Sequence, residues 1–198
     1  MALTIEACGA AILAGGQSRR MGACKPLLRM DGKTMISRLA GQLESFPELW
    51  ISANDPKVAQ GLPGRLVRDR CPGLGPLAGL QAVLEQSGRP YVLCVACDMP
   101  GFCRELALAM LEEFPPEADA LICADSTGRR HPLCGIYARS TLPVLTRRLK
   151  VGDLRMRGLL EEIHTRTFSI AGRFPDRVLW NINTPEEFRR LREKGTAP

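Results

Sequence analysis

Ala10-Ala11-Ile12-Leu13-Ala14-Gly15-Gly16-Gln17-Ser18-Arg19-Arg20-Met21-Gly22-Ala23-Cys24-Lys25-Pro26 is the stretch on which the reading of the fold turns. Ala10–Ala14 is a short, wholly apolar run, the pattern of a strand buried on both faces. It delivers the chain to Gly15 and Gly16, whose missing side chains let backbone N–H groups converge on an oxyanion. Ser18 adds a hydroxyl, and Arg19, Arg20 and Lys25 put positive charge around the same place. A buried strand ending in a glycine-rich, basic loop suits a nucleoside triphosphate. The bland alternative is a glycine turn with solvated arginines.

The pattern continues outward from this loop. Leu49–Ala53, Tyr91–Ala96 and Ala120–Ala124 are further apolar runs bounded by Gly, Pro, Asp or Asn, and each predicts a buried strand. Thr34–Phe46, Leu77–Gln86 and Arg104–Phe114 carry apolar residues at helical spacing between them. Strand alternating with helix predicts an α/β fold, a parallel sheet with helices on both faces. Beyond Arg129 the spacing predicts strands at His131–Tyr137 and Thr165–Ile170 and helices at Thr141–Lys150 and Leu154–Glu162. Thr184-Pro185-Glu186-Glu187 has the makings of a helix start, with a Thr cap, Pro at the first position and acid in the first turn. No linker, repeat or low-complexity segment divides the chain, so residues 1–198 are expected to form one domain.

The loop is not one of the two commonest phosphate loops. Five residues separate Gly16 from Gly22, and Ala23 stands where a P-loop needs lysine. Gly73-Leu74-Gly75 is followed by its next glycine only at Gly79, too late for a dinucleotide fingerprint. The net charge of +6 raises the local concentration of anionic ligands without choosing among them. With 5% aromatic residues and no aromatic–basic interleaving, nucleic acid is not an expected partner. No window has the ~18 consecutive apolar residues of a membrane span, and Glu6 interrupts an opening that has no basic n-region. A cytoplasmic protein is the expectation. Its eight cysteines are then small buried hydrophobes kept reduced. Cys94-x-x-Cys97 has no second pair beside it, and His131 and His164 stand alone, so no structural metal is expected.

Leu13-Ala14-Gly15-Gly16-x-Ser18-x-Arg20-Met21-Gly22-x-x-Lys25 resembles the signature of the nucleotidyltransferases that activate sugar phosphates, isoprenoid precursors and molybdopterin. Within that superfamily the chain is most similar to the molybdenum cofactor guanylyltransferase family. Four more segments carry the resemblance in order: Ser52-Ala53-Asn54, Asp69 with Gly75-Pro76-Leu77-Ala78-Gly79, Cys97-Asp98-Met99-Pro100, and Asn181-Ile182-Asn183-Thr184-Pro185-Glu186-Glu187. Together they span about residues 10 to 190. The resemblance implies a Rossmann-like three-layer α/β/α sandwich with a mostly parallel sheet. Its N-terminal part would bind nucleotide and its C-terminal part pterin. The activity implied is transfer of GMP from GTP to the phosphate of Mo-molybdopterin, with Mg²⁺ and release of pyrophosphate.

Displacement of pyrophosphate at an α-phosphorus needs donors, cations and a metal-holding carboxylate. Lys25 and Arg19 are the residues expected to stabilise the triphosphate, with Gly15, Gly16 and Ser18 around it and Leu13, Ala14, Asn54 and Gly75 completing the nucleotide site. Asp98 follows an apolar strand, at the edge where parallel sheets bind ligands; on position alone it is as well read as a turn former. The resemblance makes it the Mg²⁺ ligand. Asp69, also just past a strand-like run, can accept from guanine N1–H and the exocyclic amine, the role the resemblance implies. A surface ion pair with Arg68 or Arg70 is its bland alternative. Arg155, Asn181 and Asn183 match positions that the family associates with the pterin, and Asn183 is a further candidate at the metal. Arg155 alone reads equally as a solvated helix face. His131 is left out of the catalytic set because a phosphate nucleophile is already ionised at neutral pH. Relatives often carry an acid where this chain has Cys24.

The rival readings are a molybdopterin cytidylyltransferase using CTP, which changes only the base readout, and a non-catalytic nucleotide- or cofactor-binding protein of the same fold. The presence of both Lys25 and Asp98 favours catalysis over the second, since a binding module could dispense with the metal carboxylate. Partners expected beyond the small molecules are transient ones, cofactor-delivery proteins or molybdoenzyme chaperones.

Overall fold

The computed structural model describes residues 2–15, 24–69 and 73–194, with side chains to residue 190. Gly16, Ser18 and Arg19 of the expected site lie outside the described residues.

The strands are β1 (Cys8–Leu13), β2 (Arg29–Met30), β3 (Lys33–Thr34), β4 (Leu49–Ser52), β5 (Arg65–Val67), β6 (Tyr91–Ala96), β7 (Ala120–Ala124), β8 (Arg130–Ala138) and β9 (Thr165–Ser169). The helices are α1 (Met35–Leu43), α2 (Pro76–Gln86), α3 (Arg104–Glu112), α4 (Leu142–Lys150), α5 (Met156–Glu162) and α6 (Pro185–Lys194). Seven strands form one sheet in the order β5-β4-β1-β6-β8-β7-β9, and β2 and β3 pair as a separate ribbon. Within the sheet β8 alone is antiparallel to its neighbours β6 and β7; the other pairings are parallel. The mostly parallel sheet is as expected, and the reversal has a local cause. Residues 125–129 joining β7 to β8 are a tight turn, with Gly128 at φ 83° and the Asp125 carboxylate accepting from Thr127 N and Arg129 N. A parallel return needs a crossover of a dozen or more residues.

Every residue of β1 is buried, and its side chains alternate between two cores. Ala10 and Ile12 face one core, capped by Ile36, Leu39 and Leu43 of α1 and Leu106 and Met110 of α3. Ala11 and Leu13 face the other, under Leu77, Leu80 and Leu84 of α2, Leu145 of α4, and Leu159 and Leu160 of α5. Three layers result because a strand's period of two gives each central strand two apolar faces, and each needs helical cover.

Candidate active site

The C-terminal ends of the parallel strands lie side by side, and each releases a residue of the site. Asp69 comes two residues after β5, Asn54 shortly after β4, Gly15 after β1 and Asp98 after β6. Ala14 N bonding to Ser52 O at 2.8 Å and Cys97 N to Leu13 O at 3.0 Å extend the ladder to this edge. A cleft of about 220 Å³ opens there. Leu13, Gly15, Ser52, Asp69, Gly75, Pro76 and Gly79 line one part of it, and Lys25, Ala96, Cys97, Asp98 and Leu133 the other.

Lys25 begins a 3₁₀ turn, Lys25–Leu27, in which Pro26 is buried at the first turn and fixes the backbone. Its ammonium donates to Asp98 Oδ2 at 3.1 Å and to Asn183 Oδ1 at 3.1 Å. Asn181 Nδ2 donates to the other carboxylate oxygen, Asp98 Oδ1, at 2.7 Å. Two acceptor oxygens from segments 85 residues apart in the chain thus converge on one cation. The C-terminal segment is held in place by its backbone. Ile182 N bonds to Asp98 O at 2.9 Å, and Gly101 lies so close to Arg177 O that a Cβ there would approach it to 2.3 Å. Immediately after, Thr184 and Glu187 form a reciprocal cap on α6. Glu187 N donates to Thr184 Oγ1 at 3.2 Å, and Glu187 Oε2 accepts from Thr184 N at 3.0 Å and Asn183 N at 2.6 Å.

At the other part of the cleft, Asp69 is 8% exposed. Ser52 Oγ donates to its Oδ1 at 3.4 Å and Asn54 Nδ2 to its Oδ2 at 3.4 Å. Burial raises its carboxyl above the ordinary aspartate value, outweighing the two donors that lower it. Among the described residues Asp69 makes no ion pair with Arg68; Arg70, the other partner of the surface-pair alternative, lies outside them. Gly79 and Gly15 make room here: a Cβ on Gly79 would sit 2.7 Å from Ser52 Oγ, and one on Gly15 3.3 Å from Asp69 Oδ2. Gly75, at φ 75°, turns the chain into α2, with Pro76 at the first helical position.

The structure therefore brings Leu13, Gly15, Lys25, Asp69, Gly75 and Asp98 to one cleft, with Asn181 and Asn183 bonded at its Asp98 end. Ala14 is buried in the core at its edge, and Asn54 acts by holding Asp69. Arg155 is elsewhere. It caps α5, its side chain is 82% exposed, and its partner is Asp153 at 3.2 Å. Ser52 and Leu133 were not singled out for a role. A buried hydroxyl closing an otherwise apolar strand was the available signal for Ser52; Leu133 carries none. It reaches the cleft because the β7–β8 register shifts between Ile122 and Cys123, from Gly135 to His131 as partner. The Cys97 thiol, also in the cleft, is pushed up to about 12 by burial, which leaves it un-ionised and not nucleophilic.

Among the described residues no three His, Cys, Asp or Glu side chains cluster, the described cysteines are free thiols, and no helix is long and apolar enough to cross a membrane. Residues 10–167 match the MobA-like NTP transferase domain. A molybdenum cofactor guanylyltransferase of Desulfosudis oleivorans is 33% identical over 185 residues, covering 90% of this chain and 91% of that one. One from Vibrio cholerae is 30% identical over 179 residues, 89% of this chain and 87% of that one. The crystal structure of molybdopterin-guanine dinucleotide biosynthesis protein A from Archaeoglobus fulgidus superposes with a TM-score of 0.78 at 26% identity, covering 94% and 97% of the two chains. On the extent of these matches, the chain is a nucleotidyltransferase belonging to the MobA-like NTP transferase family.

Proposed function

We propose that this enzyme transfers GMP from GTP to the phosphate of Mo-molybdopterin, forming the guanine dinucleotide form of the molybdenum cofactor and releasing pyrophosphate. The observation that carries the reading is that Lys25 and Asp98, with Asn183 bonded to Lys25, share one cleft with the buried carboxylate of Asp69. One end of the cleft offers an acceptor for a base edge, and the other offers charge for phosphates. The relatives named molybdenum cofactor guanylyltransferase support the choice of substrates.

In this reading a phosphate oxygen of the acceptor, already ionised at neutral pH, attacks the α-phosphorus of GTP. A new P–O bond forms as the bond to the β-phosphate oxygen breaks, and pyrophosphate leaves with the electron pair. No proton has to be removed from the nucleophile. Lys25 neutralises charge on the departing pyrophosphate, and Gly15 brings backbone close to the triphosphate. Asn181 fixes the Asp98 carboxylate in one orientation by its 2.7 Å bond. Asp69, held by Ser52 and Asn54, accepts from guanine N1–H and the exocyclic amine. Gly16, Ser18 and Arg19 complete the phosphate-binding loop, and Arg155 meets the anionic acceptor. The N-terminal part of this single domain is thus the nucleotide side and the C-terminal part the pterin side. Cytoplasmic delivery proteins or molybdoenzyme chaperones would meet the enzyme transiently to hand over pterin and collect product.

Mg²⁺ takes one or two carboxylates together with phosphate oxygens and water. The residues present fit it, since Asp98 Oδ2 and Asn183 Oδ1 already share a cation, the Lys25 ammonium, at 3.1 Å each. Asp98 would hold the ion with Asn183 beside it. Its chemistry there is neutralisation of the phosphate oxygens.

The test is pyrophosphate release by purified protein with Mg²⁺ and molybdopterin, comparing GTP with CTP, ATP and UTP. Release with GTP alone is expected, and Asp98→Asn should lower it by about 10²–10³-fold while leaving the circular dichroism spectrum unchanged. Release with CTP instead would reassign the base and make the enzyme a cytidylyltransferase. Silence with every nucleotide would leave a binding protein.

A further inference from the structure

Arg148, in the last turn of α4, is 4% exposed, an uncommon place for a guanidinium. A buried charge is costly unless it is partnered, and the partners here bracket α5 from both ends. Arg148 Nη2 lies 2.7 Å from Asp153 Oδ2 in the loop before α5, and Nη1 donates to Glu162 Oε1 on its last residue. The guanidinium crosses the helix over Gly158, where a Cβ would stand 1.9 Å from Nη2. Glycine weakens a helix interior, so its presence in α5 answers to this contact. Nε and Nη2 have no hydrogen-bond partner, which makes the close approach to Asp153 an ion pair without hydrogen-bond geometry. Buried ion pairs of this kind add little net stability compared with apolar packing. What they do supply is fixed position.

The position fixed is that of Asp153. Its N–H bonds to Arg148 O at 3.0 Å, and its Oδ1 accepts from Arg155 Nε at 3.2 Å and Arg155 N at 3.4 Å. Oδ2 accepts from Arg155 Nη2 at 3.4 Å. Asp153 is thus gripped by a buried guanidinium on one side and grips an exposed one on the other. The edge of Arg155 held by Asp153 is the Nε–Nη2 edge, which turns the remaining fork of donors outward in the geometry that takes a phosphate or carboxylate.

We infer that Arg148 is a positioning residue for the acceptor: through Asp153 it aims the Arg155 guanidinium at the anionic group of the second substrate. The inference rests on the reading of Arg155 given above. Removing Arg148 frees Asp153 and with it Arg155, which then pays rotamer entropy on each encounter with the acceptor.

The experiment measures pyrophosphate release at varied molybdopterin with saturating GTP, then at varied GTP with saturating molybdopterin, for wild type, Arg148→Met, Arg155→Ala and the double variant. Arg148→Met is expected to raise the KM for molybdopterin about two- to tenfold, the size of immobilising one long side chain on binding, with the KM for GTP unchanged. In the Arg155→Ala background the same substitution should raise it no further. Asp153→Asn, in the loop before α5, is the companion variant should Arg148→Met fail to fold, and it should reproduce the acceptor effect. A lowered melting temperature with an unchanged molybdopterin KM would overturn the inference and make Arg148 a staple between α4 and α5. An unchanged molybdopterin KM in Arg155→Ala would overturn it too. GTP-dependent release by wild type in the same assay would show that guanylyl transfer itself still stands.

Discussion

Asp69 combines two facts that pull against each other, being nearly buried and carrying a carboxylate. Its donors Ser52 and Asn54 only partly offset the burial that raises its carboxyl above the ordinary 3.8. Because the folded state holds this proton to higher pH than the unfolded chain, the group's contribution to stability is present in full below 3.8. It is lost as pH rises through the folded-state value. At neutral pH the ionised carboxylate is a liability to the fold, tolerated where guanine donors would meet it. Asp69→Asn should therefore raise the melting temperature at pH 7 by about 2–4 °C and raise the KM for GTP at least about tenfold. The gain should fade as the pH is lowered toward 3.8. Melting curves at several pH values and GTP titrations check this, and a melting temperature that falls at neutral pH would show Asp69 to be structural. Asp69 and Asp98 were legible as candidates because each lies just past an apolar run, and Lys25 because it closes the basic glycine-rich loop, but pattern alone left each a bland alternative and the resemblance supplied the roles. The grip of Arg148 on Asp153 was not legible. An arginine within a run of basic residues at the end of a helix reads as solvated, and only the packing of α5 against α4 buries it.

At the scale of elements, central strands were readable because a strand covered on both faces is apolar throughout, and helices because their apolar residues recur at the helical period. Tyr91–Ala96 and Ala120–Ala124 have the same bounds in the structure as in the sequence reading. The reversal of β8 was hidden, since strand direction is set by the turn at 125–129 rather than by the strand's own residues. The docking of residues 176–183 was hidden as well, although its end at Thr184 was plain from the cap. That docking depends on Gly101. A methyl there would meet a backbone carbonyl, Arg177 O, at 2.3 Å, and a carbonyl in a 3₁₀ turn cannot swing aside as a side chain would. Gly101→Ala should cost about 1–3 kcal/mol and lower turnover, because the same segment carries Asn181 and Asn183 to Asp98. Gly41, inside α1 with no atom within 4 Å of its would-be Cβ, is the matched comparison. There Ala should stabilise by about 0.5–1 kcal/mol through its better helix propensity. Urea midpoints for the two variants decide the matter, and equal effects at both sites would discard the docking argument.

Over the whole molecule, the strand order places the proposed base acceptor and the proposed phosphate-binding residues on one continuous edge. From β5 through β4 and β1 to β6 the edge runs Asp69, Asn54, Gly15, Asp98, and Lys25 is folded back over it from the turn that precedes β2. A nucleotide laid along this edge touches residues from four strands and a separate turn, so it should brace much of the sheet at once. Binding to the folded state alone stabilises by about 2.7 kcal/mol at a hundred times the Kd, and for a chain of 198 residues that corresponds to roughly 5–10 °C in melting temperature. GTP should give this protection and CTP much less, because only guanine offers the N1–H and exocyclic amine that Asp69 can accept together. The net charge of +6 adds a long-range attraction for the triphosphate that salt screens. Raising the ionic strength should therefore weaken protection by GTP while leaving the preference for GTP over CTP intact, since in the proposed reading the base contact lies with a nearly buried carboxylate and the phosphate attraction with the field of the whole surface. Equal protection by the two nucleotides at low salt would place selectivity outside the Asp69 pocket, and a preference that disappears with salt would place it in the charge.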